Sequence, residues 1–125
     1  MTDPKLRLKD EARGALASKL RQRKFELSER FGIPADLLPG SLALTHSRCG
    51  KKGCHCAEEQ GHPVWLLTFM VQGKKRVERV PREWVEDVRR RVDAGRAFKD
   101  AVAEVFAANA QLLALWRRQT NGRRR

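Results

Sequence analysis

The sequence lacks any apolar stretch long enough to cross a bilayer. Its longest apolar run, VWLLTFMV at 64–71, is interrupted by a threonine and is far shorter than the roughly 20 residues that a spanning helix needs. The first residues, MTDPKLRLKDEAR, contain no apolar segment of a secretory signal. There are only three cysteines, an odd number, which argues against a disulfide-rich secreted domain. These absences predict a cytoplasmic protein without a membrane partner.

The sequence also lacks the patterns of common catalytic sites. The GKKG segment at 50–53 is too short to be a phosphate-cradling glycine loop. Most acidic side chains stand three or four positions from basic ones, as Glu86 does from Arg89 and Arg90, which is typical of paired surface charges. Cysteine and histidine do occur together, but clustered cysteines indicate metal ligation rather than a nucleophile. We therefore expect no enzymatic activity.

Positive charge is what the sequence has in excess. It carries 27 Lys and Arg against 15 Asp and Glu, a formal net charge of +12. Residues 1–31 carry +4, residues 47–82 carry +5 and residues 117–125 carry +5, whereas 83–116 carries −1. A basic surface can simply aid solubility, but this uneven distribution favours a polyanionic partner, DNA or RNA.

Apolar periodicity predicts a helix over 5–31, capped by Asp3 and Pro4 and ended by Gly32 and Pro34. Its apolar stripe comprises Leu8, Ala12, Leu16, Leu20, Leu27 and Phe31. A connector, GIPADLLPG, follows this helix.

Three strands follow the connector. The alternation in SLALTHS predicts a strand over 41–47, and VWLLTFMV predicts a central strand over 64–71 that is covered on both faces. Gln72 and Gly73 form a tight turn into a basic strand over 74–80.

A long helix is predicted over 82–118, after Pro81, with a loosened point at 93–95. It carries a seam with the 4-3-4-3-4 spacing of coiled-coil a and d positions. The seam consists of Phe98, Val102, Val105, Asn109, Leu112 and Trp116. Asn109 either sets register and partner number, as polar seam residues do in coiled coils, or faces the surface.

These elements predict an α+β fold: an N-terminal helix, a small antiparallel three-stranded sheet with a metal-bound cysteine loop, and a long C-terminal helix with a coiled-coil-like seam. The predicted parts are 1–39 (helix and connector), 40–81 (zinc-knuckle and hairpin core), 82–118 (long helix) and 119–125 (disordered basic tail).

The segment SRCGKKGCHCAEEQGHPVW at 47–65 holds all three cysteines. Cys54 and Cys56 stand one residue apart and leave an extended chain on the same face, whereas His55 points the other way. Cys49 approaches across a glycine-containing loop, and His62 begins the next strand. Three thiolates and one imidazole form a closed tetrahedral set that suits structural Zn²⁺.

Other interpretations of this segment stay open. His46 is the substitute for His62 as fourth ligand, and the cysteines can instead be free thiols, a redox switch, a disulfide or part of an iron–sulfur cluster. If zinc binds, its free energy, on the order of 10 kcal/mol, is comparable with the whole stability of a small domain.

Several motifs resemble a family of small bacterial and archaeal proteins. They are GSL at 40–42, RCGKKGCHCA at 48–57, GH at 61–62, the QGKKR turn and VPREWVEDVRR at 80–90. The family is known as a domain of unknown function, sometimes encoded near mobile genetic elements, so the resemblance implies no activity. Its usual HGPY is HPVW here, which keeps His62 but loses the glycine and the tyrosine.

Two functions from different classes follow. The first is a zinc-stabilised protein that binds the phosphate backbone of DNA or RNA. Its contact residues would be Arg48, Lys51, Lys52, Lys74, Lys75, Arg76, Arg79, Arg123, Arg124 and Arg125. The second is an adaptor or accessory subunit of a larger mobile-element or nucleic-acid-processing complex, which docks through the seam to a protein partner or forms a homodimer.

Overall fold

The computed structural model describes residues 12–47 and 61–123. Within these ranges the strands form one antiparallel sheet in the order β1-β2-β3, which confirms the predicted α+β architecture. The elements are α1 (Ala15–Phe31), β1 (Ser41–Ser47), β2 (His62–Val71), β3 (Lys74–Val80), a 3-10 turn (Arg82–Trp84) and α2 (Val85–Arg123).

The hairpin of β2 and β3 forms where the sequence predicts it. Gln72 and Gly73 both have positive φ angles, 51° and 80°, as the tight turns that match strand twist require. This turn brings Val71 opposite Lys74 and sets the register of the whole hairpin. Strand β2 begins at His62, two residues earlier than predicted, because it stays paired with β1 up to that residue.

The buried core lies between the sheet and the first turns of α2. Leu67 of β2 is buried with Val88 and Val92 of α2. The half-buried side chains around this cluster are Leu38, Leu42, Phe69, Val80 and Trp84. Because alternate residues of a strand point to opposite faces, Trp65, Leu67 and Phe69 share the face that meets α2, which we call the helix face of the sheet.

The opposite face of the sheet, which we call the open face, contributes nothing to this core. Met70 and Val77 lie on it and are 59% and 48% exposed. The prediction that the central strand is covered on both faces is therefore wrong within the described residues. The physical reason is that α1, the element available to cover it, has no buried residue.

Helix α1 is shorter than predicted. It begins at Ala15, because Gly14 has a φ of 106° that is incompatible with a helix. Residues 12–14 are not helical, and the predicted start at residue 5 lies outside the described residues. The predicted stripe is on the helix surface, where Leu16, Leu20 and Phe31 are all exposed.

Helix α2 is continuous through 93–95, so the loosened point expected there is wrong. Gly95 does not loosen the helix but packs closely against the connector. It is buried, and a Cβ at this position would overlap the carbonyl oxygen of Leu38. The connector thus lies directly against the helix backbone, and the Leu38 N–H donates a hydrogen bond to the Arg91 carbonyl at 3.2 Å. Glycine permits this close approach because it has no Cβ.

Ion pairs hold α1, the connector and α2 together. Asp36 in the connector accepts from Lys24 of α1 at 2.8 Å and lies 3.8 Å from the Arg91 guanidinium of α2. Arg91 also lies 3.6 Å from Asp87 within its own helix. Arg91 and Asp87 are largely buried, so this pairing is less screened by salt than an exposed pair.

Helix α2 continues to Arg123, whereas the sequence predicts a disordered tail from residue 119. The described part of that tail, 119–123, is helical. Among residues 12–47 and 61–123, no helix combines the length and the apolar character that crossing a membrane requires.

Candidate nucleic-acid interface and cysteine loop

Strand β3 forms one edge of the sheet and carries four cations. Lys74, Lys75, Arg76 and Arg79 are all exposed, with Glu78 as the single acid of the strand. None of the four forms an ion pair with a described residue. Because β3 pairs only with β2 in the described sheet, its other side is free for contacts with a ligand.

The four cations of β3 divide between the two faces of the sheet. Arg76 stands opposite Phe69, so Arg76 and Lys74 project on the helix face. Lys75 and Arg79 project on the open face. The predicted cluster is therefore a charged edge, with two cations on either side of one strand, rather than a single flat patch.

Four cations elsewhere in the described chain are paired with acids. Such an ion pair partly offsets the charge of the cation, which makes that cation less available to a polyanion than an unpaired one. The pairs are Arg23 with Glu26 at 3.2 Å, Lys24 with Asp36 at 2.8 Å, and Arg90 and Arg91 with Asp87. The four cations of β3 differ from these four because no described acid offsets their charge.

A groove of about 630 Å³ lies at the end of the sheet where β3 finishes. Trp65 and Leu44 give it an apolar wall, and Arg79 and Arg82 line its rim. The guanidinium of Arg89 lies 5.3 Å from the Trp65 ring centroid, within cation–π distance. The sequence analysis did not include Arg82 among the phosphate contacts. Its position directly after the basic strand and Pro81 could have indicated that it lies close to Arg79.

The cysteine loop joins β1 to β2 at this same end of the sheet. Ser47 pairs with His62 in the last rung of the β1–β2 ladder. His46 pairs with Pro63, one position along, so His46 and His62 project on opposite faces. His62 is half-buried on the open face, and His46 is exposed on the helix face.

The remaining residues of the predicted metal and phosphate sites lie outside the described residues. They are Arg48, Cys49, Lys51, Lys52, Cys54, Cys56, Arg124 and Arg125. Arg123 is the last residue of α2. Within 12–47 and 61–123, no three His, Cys, Asp or Glu side chains stand close enough to hold a metal ion. The Cys3His site thus stays a prediction.

The predicted seam of α2 divides into two parts. Phe98 and Val102 are half-buried, whereas Val105, Leu112 and Trp116 are 57–62% exposed, and Asn109 is exposed as well. Three further large apolar side chains, which the seam pattern omits, are also exposed: Phe106, Leu113 and Leu115. The seam beyond residue 102 therefore packs on nothing within the described chain.

The sequence profile of one protein family, described as "Domain of unknown function (DUF6788)", matches residues 15–90 of the chain. This range covers α1, the connector, the sheet with its cysteine loop and the beginning of α2, and it ends before the exposed part of α2. No curated protein and no solved structure matches the chain. Because the match covers more than half of the sequence, the chain belongs to this family, the domain of unknown function DUF6788.

Proposed function

We propose that the chain is a zinc-stabilised, non-enzymatic protein that binds the phosphate backbone of DNA or RNA. The observation that carries this proposal is the cationic edge of β3, whose four cations form no ion pair with a described residue. Lys74, Lys75, Arg76 and Arg79 follow one another along an exposed edge strand of a chain whose net charge is +12. Unpaired cations of this kind release counterions from a nucleic acid, which drives binding without sequence readout.

The division of the cations between the faces suits a backbone contact. A strand rises about 3.3 Å per residue, so Lys75 and Arg79 stand about 13 Å apart along β3. That separation corresponds to about four phosphate spacings along one strand of a duplex, which rises about 3.4 Å per phosphate. Arg82 at the groove extends the cationic path beyond the end of the strand.

The proposed role of zinc is to close the cysteine loop at the end of this cationic edge. His62 begins β2 directly after the segment that contains the cysteines and is half-buried, whereas His46 lies within β1 and is exposed on the opposite face. These positions support His62 over His46 as the fourth ligand. When bound, the ion would supply folding free energy rather than chemistry, because four protein ligands leave no open position.

Native mass spectrometry of the untagged protein under reducing conditions tests the zinc proposal. We expect one zinc ion per chain, loss of the ion in His62→Ala and its retention in His46→Ala, the matched control on the opposite face. Absence of metal from the wild-type protein would overturn the proposal, and loss only in His46→Ala would reassign the ligand.

Binding of fluorescent DNA and RNA oligonucleotides, measured against salt concentration, tests the main proposal. The variant Lys75→Glu/Arg79→Glu should weaken binding at least tenfold and lower the slope of log K against log salt by about 1.4–1.8, since two phosphate contacts are lost. A control variant, Lys19→Glu/Lys99→Glu, makes the same change in net charge away from β3 and should have a smaller effect.

A second pair, Lys74→Glu/Arg76→Glu, reports on the helix face of the same edge. Equal weakening by the two β3 variants indicates that the nucleic acid contacts the edge from both sides. Binding that persists unchanged at high salt, absence of binding at low salt, or equal losses in β3 and control variants would each refute the proposal.

A second candidate function is an adaptor or accessory subunit that docks through α2. The observation that favours it is the exposure of the apolar side chains beyond residue 102. Polar substitutions at Val105 and Leu112 should then abolish assembly and leave nucleic-acid binding intact, whereas the β3 charge reversals should do the opposite.

A further inference from the structure

The second half of α2 exposes six large apolar side chains. They are 49–69% exposed and comprise Val105, Phe106, Leu112, Leu113, Leu115 and Trp116. At 3.6 residues per turn, all six fall on one half of the helix, an arc of about 180°. Every charged side chain between 99 and 118 falls on the other half. We call the apolar half the α2 face.

The described chain offers nothing to cover the α2 face. The sheet packs only on the first turns of α2, through Val88 and Val92. Helix α1 has exposed apolar side chains of its own, such as Leu16 and Leu20, and no buried residue. An apolar half-helix of this size, rimmed by charged side chains, is the usual mark of an interaction surface.

We infer that the α2 face binds the α2 face of a second copy of this chain, antiparallel, about a two-fold axis near Asn109. The inference names a partner for the second candidate function and does not depend on nucleic-acid binding. Pairing through one identical patch is the commonest form of a symmetric dimer.

The area of the α2 face is sufficient for such a dimer. Six large apolar side chains, each about 60% exposed, present on the order of 600–700 Å² per copy. Two copies would bury at most about 1,200–1,400 Å² in total, which reaches the lower end of the range of stable protein interfaces.

Charge selects the antiparallel orientation. In a parallel pair, Arg117 and Arg118 of the two copies would lie at the same level along the helix axis, in a chain that already carries +12. In an antiparallel pair centred on Asn109, the two Arg118 residues lie about 27 Å apart along the axis, well beyond the screening length at physiological salt. The end that carries Asp100 and Glu104 then lies level with the arginine end of the second copy.

The side chains on the α2 face complement one another in this arrangement. Positions whose numbers add to 218 lie level across the two-fold axis, so Val102 lies level with the second copy's Trp116. Val105 lies level with Leu113 in the same way, which again places a small side chain against a larger one. Asn109 lies level with its own copy, where two carboxamides can exchange hydrogen bonds, as both groups are donor and acceptor.

Sedimentation equilibrium at high salt, after nuclease treatment, tests the inference without interference from nucleic acid. At tens of micromolar we expect a species of twice the 14.3 kDa chain mass that dissociates on dilution. Leu112→Glu should make the protein monomeric at all concentrations measured. Ala107→Glu, which places the same charge on the opposite half of the helix, should leave the dimer intact.

Each outcome decides the inference. A monomeric wild-type chain, a dimer that survives Leu112→Glu, or a dimer lost equally in Ala107→Glu would overturn it. Leu112 is exposed in the single chain, so its substitution should leave the far-ultraviolet circular dichroism of the diluted monomer unchanged. Because the oligonucleotide assay uses β3 variants, a failed dimer test and a failed binding test remain distinguishable.

Discussion

Substitution of Gly95 by alanine places two opposite effects in competition. Gly95 lies inside α2, where alanine is normally the better residue by about 1 kcal/mol. Propensity alone therefore predicts that Gly95→Ala stabilises the protein. The structure predicts the reverse, because the added Cβ would overlap the carbonyl oxygen of Leu38.

The magnitude follows from what must move. The added Cβ would meet backbone atoms of Leu38, so a side-chain rotation in the connector cannot relieve the overlap. Overpacking of this kind destabilises by about 1–3 kcal/mol. Displacing the connector also breaks the hydrogen bond from the Leu38 N–H to the Arg91 carbonyl, which contributes about 1 kcal/mol. After the gain in propensity, we expect a net loss of about 1–3 kcal/mol.

Urea unfolding followed by circular dichroism at 222 nm measures this free energy of unfolding. Ala94→Gly, at the exposed neighbouring position, calibrates the propensity effect and should cost about 1 kcal/mol. A Gly95→Ala protein that is as stable as the wild type, or more stable, would refute the close approach of the connector to α2.

The remaining predictions concern backbone, charge and metal. Gly40→Ala should destabilise the protein by about 3 kcal/mol or more in the same unfolding assay, because Gly40 has a φ of +89° and the added Cβ would overlap a carbonyl of β2. Gly73→Ala should cost only about 1 kcal/mol, because Gly73 has a φ of +80° but its Cβ would point into open space. Asp36→Asn should lower the free energy of unfolding by about 1–2 kcal/mol, because it leaves the largely buried Arg91 with one acid fewer. Lys24→Ala, which removes a more exposed partner of Asp36, should lower it by only about 0.5 kcal/mol. The reverse order of losses would contradict the network of ion pairs. If zinc closes the cysteine loop, a chelator should lower the thermal midpoint by several degrees and added zinc should restore it, and a midpoint insensitive to chelator would count against the site.

Local sequence patterns were sufficient for the strands of this fold. The β1 and β3 bounds agree with the predicted 41–47 and 74–80, because alternation and the Gln72–Gly73 turn act over a few residues. The order of elements was likewise predictable. These features depend on neighbours in the chain, which the sequence displays directly.

The helices were less predictable. An apolar stripe indicated a helix from residue 5, but Gly14 interrupts it at a φ of 106°. Gly95 resembled a weak point in α2, although it is a contact with a connector more than fifty positions away in the chain. A glycine in the sequence does not reveal whether its missing side chain serves flexibility or close packing.

The candidate site shows the same limit. The cations of β3 were evident from composition, yet their division between two faces depends on the register with β2. Arg82 joins Arg79 only at the groove, which brings together the ends of different elements. The α2 face contains three exposed apolar residues that the seam pattern omits. Their exposure could not be predicted, because it depends on which parts of the chain pack nearby.

The sequence by itself determined the α+β order of elements, the hairpin and the excess of positive charge, since each depends on local periodicity or on composition. Within residues 12–47 and 61–123, only the tertiary structure decided which cations stay unpaired, which face of the sheet is open and which half of α2 lacks a cover. These properties depend on contacts between residues far apart in the chain, such as Lys24 with Asp36 and Leu38 with Gly95. Such contacts have no period and therefore no signature in a single sequence.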